Sequence, residues 1–176
     1  GGVGAELVYV NKNKTAVGEG TGLYWKYEKY LRKKESDVSS LIGVSGCAYA
    51  VRKDLYEDIN TSLISDFVVA QMIYSKGKRV VFEPAAMVFE ETNSEIKDEF
   101  KMRVRVATRS LHGLWNMRRL LNPLKYGMFS VQLISHKVLR YLVPVFLLSL
   151  FAANTLMYNI NLLYKVLFIG QCLFYL

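Results

Sequence analysis

Gly43-Val44-Ser45-Gly46-Cys47-Ala48-Tyr49-Ala50-Val51-Arg52 and Ser65-Asp66-Phe67 are the two stretches that decide how this chain is read. The first is small and backbone-rich, and its glycines let a polar ligand come close to the main chain. The second sets one carboxylate at the start of an apolar run, fourteen residues after Arg52.

Outward from these blocks the pattern alternates. Residues 6–10 (ELVYV) have a short β-like pattern, and residues 11–22 are polar and glycine-rich, which predicts a loop. Residues 23–34 place aromatic and apolar side chains at 23, 24, 27, 30 and 31, a helical period. Residues 41–51 mix strand and loop. Ser65 or Asp66 can cap a helix that runs through Ser75, with Gly77 just past its end. Residues 79–82 and 87–89 are β-rich and split by Pro84. Thr92-x-x-Glu95 is a capping box for a long helix to about Leu121, which Asn122-Pro123 would end. The order strand, helix, strand-loop, helix, strand, helix predicts the second half of an α/β domain.

The 176 residues suffice for one domain with a real core. They are 52% hydrophobic, with a mean hydropathy of +0.15, high for a purely soluble protein. The excess is local: from Tyr141 to Leu176 the only charge is Lys165. Residues 1–99 carry 13 Lys and Arg against 15 Asp and Glu, whereas residues 100–176 carry 10 Lys and Arg and no acid, for a net +8 overall. A wholly basic stretch running into an apolar one points to lipid headgroups, phosphates or both. It argues against nucleic acid, for which no motif is present.

Residues 141–160 are long and apolar enough to cross a hydrocarbon core of about 30 Å, and residues 162–176 read as a second, truncated membrane helix. A buried hairpin of a soluble protein is the competing reading. Residues 114–140 mix bulky apolar and basic side chains, as an interfacial segment does, and a plain surface helix is its alternative. Arg118, Arg119, Lys125, Lys137 and Arg140 precede the first span, so residues 1–113 would lie on the cytoplasmic side of an integral membrane protein. Cys47 and Cys172 fall on opposite sides of that divide, which argues against a disulfide. No signal peptide is read at the N-terminus, and both ends look cut, as in a fragment of a longer protein.

Asp66 is the first candidate for chemistry. A single positioned carboxylate can take a proton from an attacking hydroxyl, although Ser65-Asp66 also reads as a simple helix cap. Gly43, Ser45 and Gly46 offer backbone and one hydroxyl, or form only a tight turn. Lys101, Arg105 and Arg109 fall at i, i+4 and i+8, one basic stripe fit to hold phosphates or simply to face solvent or lipid. Phe100, Val104, Ala107, Leu111 and Leu114 form the opposing apolar stripe, expected to pack on the domain. Tyr24, Trp25 and Tyr27 either stack on a sugar or anchor their helix. Cys47 reads as a small buried residue rather than a nucleophile. His112 and His136 form no metal cluster, and no metal ligand is assigned.

The ordered set resembles the membrane-bound family 2 glycosyltransferases, relatives of the cellulose, chitin, hyaluronan and poly-N-acetylglucosamine synthases. It consists of Tyr24-Trp25-x-Tyr27-Glu28, Gly43-x-Ser45-Gly46-x-x-Tyr49-Ala50-x-Arg52, Ser65-Asp66-Phe67, Gly77-x-Arg79-Val80-x-x-Glu83-Pro84-x-Ala86 and Ser135-His136-Lys137-Val138-Leu139-Arg140. The resemblance covers about residues 1–160. It implies the C-terminal half of a GT-A-type, Rossmann-like domain followed by transmembrane helices. It further implies inverting transfer from a nucleotide-sugar donor, UDP-sugar favoured, to a saccharide or lipid-linked acceptor, as in polysaccharide synthesis. Asp66 stands at the family's catalytic base. Arg105, with Arg103 and Lys101, stands at the donor diphosphate, and Gly43, Ser45, Gly46 and Trp25 stand on the acceptor side. A divalent metal, Mg or Mn, is implied too, with its Asp-x-Asp ligands upstream of this chain, so the fragment alone would be inactive. Ser65 stands where the family often has an acid, and Met102 and Val106 replace the Gln and Trp of Gln-x-x-Arg-Trp. A non-processive transferase to a lipid acceptor and a non-catalytic membrane scaffold therefore remain as alternatives.

Overall fold

Residues 67–73, Phe-Val-Val-Ala-Gln-Met-Ile, carry no polar stripe at helical spacing, so a helix there has to be covered on every side. The computed structural model, which describes residues 1–10, 16–60, 63–91 and 96–175, bears this requirement out. The elements are β1 (Gly2–Val10), α1 (Ala16–Val38), β2 (Tyr49–Val51), α2 (Ser65–Ser75), β3 (Val80–Glu91) and α3 (Ile96–Asn116). A 3₁₀ turn (Arg118–Leu121), α4 (Pro123–Tyr126), α5 (Met128–Leu133), a π turn (Ile134–Val138), α6 (Leu139–Leu156) and α7 (Leu162–Tyr175) follow. All seven residues of α2 from Phe67 to Ile73 are buried.

The sheet is mixed, in the order β2-β1-β3, with β1 antiparallel to β2 and parallel to β3. Val69, Ala70 and Ile73 of α2 join Leu41, Val44, Leu55 and Val80 in one apolar cluster on it. The other side of α2 meets a second layer. A Cβ on Gly113 of α3 would stand 3.0 Å from Val68 and 3.3 Å from Phe67, so only glycine lets the two helices come this close. Tyr74 stacks on Phe129 of α5 with ring centroids 3.8 Å apart. The chain is thus mixed α/β, with α2 between a small sheet and a helical layer.

The expected elements differ from the observed ones in ways that have physical causes. The predicted loop at 11–22 is helical from Ala16 onward, although residues 11–15 lie outside the described part. Glycine is a weak helix former, but extending a periodic helix already nucleated at 23–34 outweighs that cost. The face that α1 turns inward also differs. Tyr24, Tyr27 and Tyr30 are exposed, whereas Glu28 and Glu35 are buried. Lys29 bonds to Glu6 of β1, and Ser36 accepts from the Phe82 amide at 2.9 Å, so α1 packs by polar contacts. β3 is one strand, but Ala5 and Glu6 of β1 pair with Glu83 and Met87, leaving Pro84-Ala85-Ala86 as a bulge where proline cannot donate. The long helix stops at Asn116 and not at about Leu121, and Asn122-Pro123 both closes the 3₁₀ turn and begins α4: Asn122 accepts from the Leu124 amide at 3.0 Å and Pro123 takes the first helical position. The capping box at Thr92 and Glu95 lies outside the described residues.

The chain divides into two compact units, residues 1–133 and 134–176. The boundary falls inside the stretch 114–140 expected to form a separate segment, because Leu120, Phe129 and Leu133 are buried in the first unit. The second unit is an apolar hairpin of α6 and α7. Phe151 stacks on Phe168 at 5.4 Å, and the Tyr175 hydroxyl donates to the Leu147 carbonyl at 3.1 Å. One continuous helix, Met128–Leu156, is long and apolar enough to cross a membrane, and only 6% of its apolar window is buried. This helix begins before residue 141 and ends before residue 160, the bounds expected for the first span. Apolar surface exposed on this scale needs an apolar surrounding, whether lipid or protein. α7 has 14 residues, about 21 Å at ~1.5 Å each, shorter than a hydrocarbon core.

Gln71 is the exception in α2. It is fully buried, and neither its amide oxygen nor its nitrogen has a hydrogen-bond partner among the described residues. Burying such a group unpaired costs about 1–3 kcal/mol. Gln71→Leu should therefore raise the melting temperature in detergent by several degrees; an unchanged or lower value would show that the amide is satisfied.

Candidate functional site

The segment between α1 and β2 is irregular because its main chain bonds outward, to neighbouring elements. The Leu41 amide donates to the Val80 carbonyl at 2.9 Å, and the Val80 amide donates to the Ser40 hydroxyl at 2.9 Å. The Val44 amide donates to the Asp66 carbonyl at 2.9 Å, and the Ala5 amide to the Ala48 carbonyl at 3.3 Å. Leu41, Ile42 and Val44 are buried beneath this ladder. The glycine-containing loop is therefore fastened at once to the sheet and to the first turn of α2.

That fastening brings Asp66 to Gly46. A Cβ on Gly46 would stand 3.3 Å from Asp66 Oδ2, so the carboxylate lies against bare backbone. Gly43 sits one step deeper, with a Cβ position 3.5 Å from the Phe67 ring. Asp66 is not the cap of its helix. Ile64 holds the cap position in an extended conformation, with no side-chain cap bond, and Ser65 and Asp66 are the first two helical residues. A carboxylate in the first turn stands at the end of the helix where the backbone amides point outward. Asp66 is half-buried while Gly46 is exposed, so the carboxylate lies at the edge of the solvent.

Ser45 is buried at 4% exposure, and its hydroxyl accepts from the Cys47 amide at 3.4 Å, so it serves the loop itself. Cys47 is exposed and not buried as expected, because it reaches out of the loop to β3, where its thiol donates to Glu90 Oε2 at 3.0 Å. Partial desolvation of the sulfur raises its pKa above the ordinary thiol range. The hydrogen bond and charge of Glu90 and the charge of Asp66 act in the same direction. Cys47 is thus a protonated thiol at neutral pH, a poor nucleophile. The motifs gave no sign of Glu90, whose place beside the loop follows from strand pairing.

The remaining candidates lie apart. Trp25 donates its indole N–H to the Leu7 carbonyl and lies beneath Arg32 at 5.0 Å, so it anchors α1 to β1. Lys101, Arg103 and Arg105 are exposed on α3. Lys101 pairs with Asp98 at 3.8 Å and Arg103 with Glu99 at 2.6 Å, whereas among the described residues no ion pair takes up Arg105. α3 meets α2 next to Asp66 through Gly113, and Arg105 is about 12 Å earlier along the helix axis at ~1.5 Å per residue. Asp66, Gly43 and Gly46 are therefore brought together, and Arg105 stands off on the helix packed beside them. A cleft of about 320 Å³ opens elsewhere along α2, but its Lys76 is already held by Glu57 and the Leu55 carbonyl, both at 2.8 Å.

Among the described residues no group of three His, Cys, Asp or Glu side chains is placed to hold a metal ion. The donor set among the described residues does not fit the divalent cation that the resemblance implies. Compared with protein-family models and with curated proteins, the chain gives no match.

The thiol geometry has a direct consequence for alkylation. In a Cys172→Ser background Cys47 should react slowly with iodoacetamide at neutral pH and faster as pH rises through its raised pKa. Glu90→Gln removes a negative neighbour, lowers that pKa and should speed the neutral-pH reaction; an unchanged rate would mean the contact with Glu90 is absent in solution.

Proposed function

We propose that this chain is the acceptor-side part of an inverting, membrane-attached glycosyltransferase. The observation that carries the reading is the carboxylate of Asp66 at the start of a fully enclosed helix, set against the bare backbone of Gly46. This is the arrangement that proton removal from an acceptor hydroxyl needs, because a bulky side chain at position 46 would crowd the space where the hydroxyl lies.

In this reading Asp66 takes the proton of the acceptor hydroxyl. The hydroxyl oxygen forms its bond to the anomeric carbon as the bond to the diphosphate breaks, and the diphosphate departs with the electron pair. Only one carboxylate is required, since no covalent intermediate forms. Arg105 meets the charge that grows on the leaving diphosphate, and a guanidinium does so with two parallel hydrogen bonds. Gly43 and Gly46 line the acceptor side, and Ser45 keeps their loop in shape. The donor would be a nucleotide sugar, UDP-linked by preference, and the acceptor a saccharide or a lipid-linked sugar at the cytoplasmic face.

Met102 and Val106 favour single transfer over polymer growth, because the tryptophan that helps hold an acceptor chain in the resembling synthases is missing. A scaffold without activity is the reading from another class.

The test is nucleoside-diphosphate release from a panel of UDP- and GDP-sugars by the full-length protein in membranes. One sugar should turn over, and Asp66→Asn should lower that turnover by about 10²–10⁴-fold, the usual worth of a general base. Wild-type turnover in Asp66→Asn would remove Asp66 from the chemistry, and no turnover with any sugar would favour the scaffold.

A further inference from the structure

Two helices of the first unit turn an unexpected face inward. α3 packs through Ser110, Gly113 and Leu114 and leaves Phe100, Val104 and Leu111 exposed. α1 goes further, because it buries acids and exposes aromatics. Its outward stripe is Tyr27, Tyr30, Lys34 and Val38, at i, i+3, i+7 and i+11. Tyr27, Tyr30 and Val38 are 58%, 58% and 59% exposed, whereas Glu28 and Glu35 are only 5% and 6% exposed. At about 100° per residue the stripe stands about 180° from Trp25 and Ser36, which bond to β1 and β3.

The ordinary order of burial is reversed here. A carboxylate gives up hydration when it leaves water, and a tyrosine ring gains by leaving it. The inward acids have local partners: Glu28 accepts from the Tyr24 hydroxyl at 2.9 Å, and Glu6 of β1, itself buried, takes Lys29. The rings of Tyr27 and Tyr30 stay in water. Turning the glutamates inward also leaves the outside of α1 basic. Lys26 and Lys33 flank the stripe, and Lys34 lies within it, its ammonium 5.8 Å from the centre of the Tyr30 ring. Against these three cations, Asp37 is the one exposed acid between Tyr24 and Val38.

We propose that the outer face of α1 docks an acidic segment of another protein, with Tyr27 and Tyr30 as its anchors. Tyrosine supplies contact area with few rotors to freeze, and it is enriched where proteins meet. The stripe is about 16 Å long at ~1.5 Å per residue, which matches three turns of a partner helix. The lysines select the sign of the partner, for carboxylates would complement them and steer the encounter. A two-fold contact with a second copy would set Lys26, Lys33 and Lys34 against their own equivalents. A helix lying in a bilayer presents Leu, Phe and Trp, whereas the apolar members here are two phenols and a valine. Docking on α1 is independent of the transferase reading, since it uses neither Asp66 nor Arg105.

The test is photo-crosslinking by the full-length protein in its native host, with p-benzoylphenylalanine at position 27, 30 or 38, or at exposed Lys53 as control. Positions 27, 30 and 38 should each give one common product with another protein, and mass spectrometry should place the joined segment in an acidic stretch of it. With the probe at 38, Lys26→Glu/Lys33→Glu/Lys34→Glu should cut that product by about tenfold with the melting temperature unchanged, while Lys53→Glu should leave it intact. Products no stronger than at position 53 would overturn the proposal. So would joining to a second copy of this chain, to lipid, or to a segment without acidic residues, and so would a product indifferent to the three charge reversals.

Discussion

The enclosure of α2 is the constraint on which the rest depends. Seven consecutive residues, Phe67 to Ile73, leave water together. At about 25 cal/mol per Å² of apolar surface, burial on that scale is a leading source of stability for a domain of this size. It demands two layers, and the chain supplies them as a small mixed sheet on one side and α3 with α5 on the other. A helix held on all sides cannot shift along or about its axis without opening both layers. Its first turn is therefore a fixed point, and Asp66 is on that turn. The loop of Gly43 to Ala48 is tied to the same turn through the Val44 amide and to the sheet through Ala48, so the carboxylate and the glycine wall move as one body.

Much of this was legible in the sequence. The bounds of α2 followed from an apolar run opened by Ser65 and closed by Gly77, which is observed at φ +73, where glycine meets no steric cost. The break in β3 at Pro84 followed from its missing N–H. The proximity of Gly46 to Asp66 did not follow from spacing alone; it needs the Val44 to Asp66 hydrogen bond, a contact between segments twenty-two residues apart.

What could not be read was which face of a helix turns inward. Tyr24, Tyr27 and Tyr30 form a helical period in α1, yet the inward face carries Glu28, Glu35 and Ser36, because Glu6 and the Phe82 amide across the interface are polar partners. Phe100, Val104 and Leu111 form an equally clean period in α3, yet Gly113 sets the contact, since a smooth surface approaches α2 more closely than a row of bulky side chains. Periodicity reports that a face is apolar; it does not report whether protein or lipid covers it. Asn122-Pro123 shows the same limit at a terminus, for the dipeptide that stops one helix is also the ordinary start of another.

One face of α3 seats it against the first turn of α2, which carries Asp66, and another face carries Arg105, so both residues of the proposed chemistry are held by one helix pair. The central claim is that Asp66 acts on the acceptor and not on donor binding. Initial-rate kinetics of the full-length Asp66→Asn protein, with the donor varied, test it most directly. The account predicts a collapse of kcat with an unchanged KM for the donor; a raised KM with kcat preserved would contradict it.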